Sequence, residues 1–124
     1  MYQFKVNNPL KTQEVISLFL SVGWNKNPHN IIAAFQNSYY LTCYDNEKLI
    51  AFARAISDNY YYTNIFDVIV HPDYQKQGIG KELVTRLLEE FKGTYFFLTH
   101  TEGKRDFYEK CGFSFNQCGM WISK

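Results

Sequence analysis

A mixed α/β fold, with a largely antiparallel sheet and one parallel crossover, is predicted by three observations. Three β-rich runs, 39–44, 49–56 and 60–70, follow one another with short polar turns between them, the pattern of an antiparallel meander. An amphipathic helix over 81–91 comes next, and a compact apolar run over 95–99 follows it. Strand, helix and strand in that order read as a parallel crossover. The 124 residues fit one domain, 1–124, and an apolar share of 46% is enough for a core of its own.

Each element has a local reason. Tyr2 to Val6 alternates as a strand and Asn7-Asn8-Pro9 breaks it. Thr12 is the expected N-cap of a helix on which Val15, Ile16, Leu18, Phe19 and Val22 recur at helical spacing, and Gly23 ends it. Asn27 before Pro28 starts a second short helix reaching Gln36. Asp45-Asn46-Glu47-Lys48 is a hairpin turn, and Ser57-Asp58-Asn59 leads into the third run. In the 81–91 helix Leu83, Val84, Leu87, Leu88 and Phe91 share one face, with Lys81, Arg86, Glu89 and Glu90 outside; Gly93 stops it. A short helix is expected over 104–111, capped by Gly112, and closing strands over 113–115 and 120–122.

Bulk composition excludes several classes. A net charge of +1 with acids and bases interspersed provides no field to recruit nucleic acid or an anionic membrane. No apolar run approaches the roughly 18 residues of a membrane helix, and Met1-Tyr2-Gln3-Phe4-Lys5 carries no apolar signal core, so a cytoplasmic location is expected. Cys43, Cys111 and Cys118 form no CxxC pair, and His29, His71 and His100 lack ligand spacing; no metal site is expected and the thiols read as free.

The chemistry begins at Gln75-Lys76-Gln77-Gly78-Ile79-Gly80, between the strand ending at Val70 and the helix expected from Lys81. Two glycines let backbone approach an anion closely, and the free N–H groups of the next helix point at it. A P-loop is excluded by Gln75 in place of glycine and by Glu82 in place of Ser or Thr, and a dinucleotide fingerprint by Leu83. The turn therefore reads as a cradle for a phosphorylated cofactor.

The pattern Q/R-x-x-G-x-G/A, preceded by Val70-His71-Pro72-Asp73-Tyr74, resembles the GNAT N-acetyltransferase superfamily. So does Phe107-Tyr108-Glu109-Lys110-Cys111-Gly112-Phe113, which is similar to that superfamily's late helix and Gly-Phe turn. The strand Ile65-Phe66-Asp67-Val68-Ile69-Val70 and the ending Gly119-Met120-Trp121 resemble small plant and bacterial members. The resemblance implies the order βααβββαβαββ, with a splayed central strand pair. It implies acetyl-CoA as cosubstrate, held by Gln75, Lys76, Gln77, Gly78, Ile79, Gly80 and Lys81. The pantetheine arm would lie between Val68, Ile69, Val70 and the 96–99 strand, with a backbone N–H near Ile69 or Val70 polarising the thioester carbonyl. Lys76, Arg86, Lys104 and Arg105 are candidates for the outlying phosphates.

Tyr108 aligns with the tyrosine that protonates the leaving thiolate in many relatives, and it is expected both to contact the cofactor and to act in catalysis. Asp67 is expected either to meet the acceptor amine, as in relatives acting on small cationic amines, or to be held by Arg54; a carboxylate inside an apolar strand requires one or the other. Histone-type members place a glutamate base three residues earlier, where this chain has Asn64. Trp24, Tyr39, Tyr40, Tyr60, Tyr61 and Tyr62 are candidates for an aromatic acceptor wall. The expected activity is transfer of acetyl from acetyl-CoA to a primary amine of a small molecule by direct attack. The alternatives are a protein lysine or N-terminal acetyltransferase, or a CoA-binding module without catalysis. A homodimer is compatible with the resemblance.

Overall fold

The computed structural model describes residues 2–116 and 118–123. A five-stranded sheet in the order β1-β2-β3-β4-β5 forms its middle layer. The strands are β1 (Tyr2–Val6), β2 (Tyr39–Asp45), β3 (Lys48–Ser57), β4 (Tyr62–Val70) and β5 (Tyr95–Phe97); the helices are α1 (Thr12–Ser21), α2 (Pro28–Gln36), α3 (Ile79–Glu90) and α4 (Arg105–Lys110). The first four strands pair antiparallel, and β4 pairs with β5 in parallel, so the meander and the crossover are both present. No helix among the described residues is long and apolar enough to cross a membrane.

Strand alternation divides the core between the two faces. Leu41, Cys43, Ala51, Ala53, Ala55 and Ile65 pack under Ile79, Leu83 and Leu87 of α3. Tyr40, Tyr44 and Phe52 pack under Val15, Leu18 and Phe19 of α1 and Ile31 and Phe35 of α2. Successive side chains point to opposite faces, so β2, β3 and β4 serve both layers.

Several ends differ from expectation. Thr12 is the first helical residue of α1 and Lys11 its cap, because the Glu14 carboxylate reaches back to accept the Lys11 backbone N–H at 3.2 Å. β4 begins at Tyr62 because one Asp58 carboxylate oxygen accepts the N–H groups of Tyr60, Tyr61 and Tyr62 at 2.9, 2.7 and 3.0 Å, which holds that segment as a loop. α3 opens at Ile79, two residues earlier than expected, behind a left-handed Gly78 with φ of 85°.

The largest correction is at the far edge. β5 stops at Phe97, and residues 113–116 and 118–123 form no strand; Met120, Trp121 and Ile122 are almost fully exposed. A three-residue strand offers too short a ladder to template the two closing strands.

Candidate active site

β4 and β5 pair only at Tyr62↔Tyr95, Thr63↔Phe96 and Asn64↔Phe97. Beyond Asn64, β4 keeps β3 on one side and has no strand on the other among the described residues, which is the splay the sequence resemblance implied. His71 N–H donates to Ile50 O at 2.8 Å, so alternation turns the N–H groups of Val70 and Val68 toward the open side. Of the two backbone donors expected, Val70 faces the gap and Ile69 faces β3. Gln75 confirms the direction, since its side-chain amide reaches the Val70 carbonyl at 2.9 Å.

The cradle follows at the end of this strand. A 3-10 turn over Pro72–Tyr74 leads to Lys76 at φ 63° and Gly78 at φ 85°. The first α3 N–H with a backbone acceptor is that of Glu82, bonded to Gly78 O at 3.0 Å. The N–H groups from Gln77 to Lys81 therefore have no backbone acceptor among the described residues, and the positive end of the helix lies behind them. A Cβ at Gly78 would meet nothing within 4 Å, so the turn is open at that residue. Backbone donors, an open turn and a helix N-terminus fit a pyrophosphate. The two glycines differ in purpose: Gly78 supplies the left-handed turn, whereas a Cβ on helical Gly80 would come within 3.2 Å of the Phe107 ring.

Of the four basic residues proposed for outlying phosphates, two are engaged elsewhere. Arg86 pairs with Glu82 at 2.8 Å and stacks on Phe4, and Arg105 pairs with Glu109 at 3.4 Å and stacks on Phe115. Lys76 and Lys104 make no ion pair among the described residues and remain the better candidates.

Asp67 sits at a bulge. Phe52 pairs with Ile69 and Arg54 with Phe66, so Asp67 and Val68 together oppose Ala53, and Asp67 takes φ of 53°. Its Oδ2 accepts from Arg54 Nε at 2.9 Å and lies 2.9 Å from Arg54 Nη2. Arg54 Nη1 donates to Ser38 Oγ at 3.0 Å, and the guanidinium lies against the Phe66 and Phe35 rings. Of the two partners expected for Asp67, the structure supplies Arg54, and it leaves Oδ1 without a hydrogen bond among the described residues.

Tyr108 lies on α4, half-buried among Phe107, Phe113 and His100. Burial pushes its phenol up to about 12, with the charges of Cys111 and Asp67 acting in the same direction. The group is thus a protonated donor at neutral pH. Burial also raises the Cys111 thiol, against the opposing pull of Lys81, which suits a packed side chain rather than a nucleophile.

The expected aromatic wall is only partly assembled. Tyr39 bonds to Glu90 on the α3 face and Tyr40 is buried against Asn8, so neither lines an acceptor surface. Instead Tyr61, Tyr95 and Phe97 gather around Tyr62 with ring centroids 5.8–6.2 Å from it. Tyr95 received no site role from sequence, and Phe97 and Phe107 were named only as parts of the 96–99 strand and the late-helix motif; register and helix packing give them their contacts. A cavity of about 520 Å³ lies beside β5, lined by Leu88, Phe96, Phe97 and residues 111–116; neither the cradle residues nor Asp67 line it, and it borders Tyr108 only through Phe113, which packs on the phenol ring. Backbone donors at a strand end present an open surface, so cavity volume is a poor guide to this site.

The profile of the acetyltransferase (GNAT) family matches residues 10–113. An uncharacterized N-acetyltransferase, ycf52, of Pyropia yezoensis is 34% identical over 116 residues, covering 86% of this chain and 67% of that protein. A protein of Glycine max named histone acetyltransferase TAP1 is 32% identical over 98 residues, covering 68% of this chain and 42% of its own length. Among solved structures, a GNAT family acetyltransferase of Streptococcus pneumoniae superimposes with a TM-score of 0.86 at 26% identity, covering 100% of this chain and 99% of the other. The chain spans about half to two-thirds of the length of the first curated relatives it matches. With the cradle, the splayed strand and the late tyrosine each in place and the profile running through all three, the chain belongs to the GNAT acetyltransferase family.

Proposed function

We propose that the chain is an N-acetyltransferase that moves the acetyl group of acetyl-CoA onto the primary amine of a small molecule by direct attack. The observation that carries this reading is the open edge of β4, which runs from Asp67 to the cradle with the Val68 and Val70 N–H groups facing the gap. When bound, acetyl-CoA supplies a thioester with an electrophilic acyl carbon and a thiolate leaving group.

The chain's own groups then have separate tasks. The N–H groups of Gln77 to Lys81 hold the phosphates, with Gln75, Lys76, Gly78, Ile79 and Gly80 shaping the approach. Val68 and Val70 anchor the arm, and the Val70 N–H is placed to stabilise negative charge on the acyl oxygen. Tyr108 donates its phenolic proton to the departing sulfur. Asp67 attracts the ammonium form of the acceptor through Oδ1 and helps pass one proton to solvent, so that the neutral amine attacks, while Arg54 holds Oδ2; the second proton, shed by the nitrogen on acylation, restores the Tyr108 phenol.

The test is calorimetric titration of acetyl-CoA, with Gly78→Glu as control. Micromolar binding that the variant loses supports the cradle. A folded native protein that binds nothing sinks the reading.

A second reading, acetylation of protein amines, is favoured by one observation: Tyr60, Tyr61, Tyr62 and Tyr95 are 83%, 67%, 56% and 69% exposed, an open surface rather than a closed pocket. Mass spectrometry of cell lysate incubated with the enzyme and labelled acetyl-CoA separates the two, because labelled peptides in place of labelled small amines select the second.

A further inference from the structure

We propose that Phe107 is a positioning residue that sets the Tyr108 phenol at a fixed place against the phosphate cradle. The functional meaning of that placement rests on Tyr108 being the proton donor proposed above. The placement itself does not.

α4 has six residues and buries none of them fully, so few contacts locate it on the body of the protein. Phe107 makes one of them at a distinctive point. A Cβ built on Gly80 would lie 3.2 Å from Phe107 Cζ, 3.5 Å from Cε1 and 3.5 Å from Val70 Cγ2. The ring therefore rests on the first turn of α3, at a cradle glycine, with the end of β4 beside it. Gly80 is not in the left-handed region, so its backbone does not require glycine. Glycine inside a helix costs about 1 kcal/mol relative to alanine, and here the close approach of the Phe107 ring is what it permits.

From this contact the geometry passes directly to Tyr108. The two rings meet edge to face with centroids 4.9 Å apart and planes at 81°, and Phe113 meets Tyr108 in the same manner at 6.0 Å. The Phe113 N–H bonds to Tyr108 O at 3.1 Å, so the turn after α4 closes the other side. Tyr108 is thus held between two rings, one of which is seated on the cradle. A shift of a few tenths of an ångström at Gly80 has to move Phe107, and through it Tyr108.

The test incorporates 3-fluorotyrosine and assigns the Tyr108 fluorine resonance by its loss in Tyr108→Phe. Gly80→Ala is expected to displace that resonance in the otherwise native chain and to leave it in place in a Phe107→Leu background, where the smaller side chain makes room for the new methyl. Equal displacement in both backgrounds, or none in either, overturns the inference. Should Phe107→Leu fail to fold, Phe107→Met serves as the second background. Spermidine and 2-phenylethylamine serve as acceptors in the activity arm: Phe107→Leu is expected to lower turnover about tenfold with the acetyl-CoA Kd within about threefold, and to add nothing in a Tyr108→Phe background. A further tenfold loss in that background shows that Phe107 acts other than through Tyr108 and overturns the inference. If Tyr108→Phe alone leaves turnover within about twofold, the proton-donor reading fails, and the fluorine result still decides the placement.

Discussion

The two ends of the open β4 edge are built in opposite ways. At the proposed cradle end, the available groups are backbone N–H donors contributed by one short stretch, Gln77 to Lys81, and geometry is set by a left-handed Gly78 and a helix start. At the Asp67 end, the groups are side chains brought from separate elements: Asp67 from a β4 bulge, Arg54 from β3, Ser38 from beyond α2, and rings from α2 and β4. A backbone site tolerates many side chains and recognises a constant ligand part. A side-chain site changes with each substitution, which is where acceptor choice can vary while the cofactor stays the same.

The largest effect expected from this contrast is at Gly78. Gly78→Glu combines a left-handed strain of about 1 kcal/mol with a carboxylate facing the phosphate site, and acetyl-CoA affinity should fall more than about 100-fold while the melting temperature changes little. Retained affinity, read by calorimetry, would move the cradle elsewhere. Tyr108→Phe should lower kcat by about 10- to 100-fold with acetyl-CoA Kd within about threefold, which steady-state kinetics with calorimetry can establish.

The Asp67 end sharpens the comparison further. Asp67→Asn should raise the amine KM or lower kcat by about tenfold and leave acetyl-CoA affinity unchanged; loss of cofactor affinity instead would join the two ends into one site. Arg54→Met leaves the largely buried Asp67 carboxylate without its guanidinium and should destabilise the fold by about 3 kcal/mol, with Arg54→Met/Asp67→Asn recovering part of it in thermal melts. The smallest effect is with pH. The folded phenol of Tyr108 is raised above its ordinary value of 10 to about 12. The unfolded chain therefore loses that proton first, and stability falls as pH rises from about 10 to about 12. Tyr108→Phe should flatten that limb of a melting-temperature profile; an unchanged limb assigns it to other tyrosines.

Local signals carried most of the fold. α2 matches its expected ends because Asn27 and Pro28 determine its start through neighbouring atoms, the Asn27 side chain accepting the His29 N–H at 2.9 Å. The meander and α3 follow from alternation and helical periodicity in the same way, and the cradle was legible because its donors and its glycines adjoin in sequence. The tail was not, since a closing strand depends on a partner edge and β5 ends at Phe97. In the candidate site, Asp67 was visible as a carboxylate in an apolar strand, but its bulge comes from a register shift against β3.

Residue order alone thus determined most of the elements, the glycine turn proposed as a phosphate cradle and the identity of the family, because caps, periodicity and a glycine turn act over a few residues. Tertiary structure decided what lies across from what: Arg54 on Asp67, Val70 rather than Ile69 facing the gap, Tyr95 and Phe97 around Tyr62, and Phe107 on Gly80. Each of these depends on strand register or helix packing between segments distant in sequence, and such contacts are fixed by the balance of the whole core rather than by any local pattern.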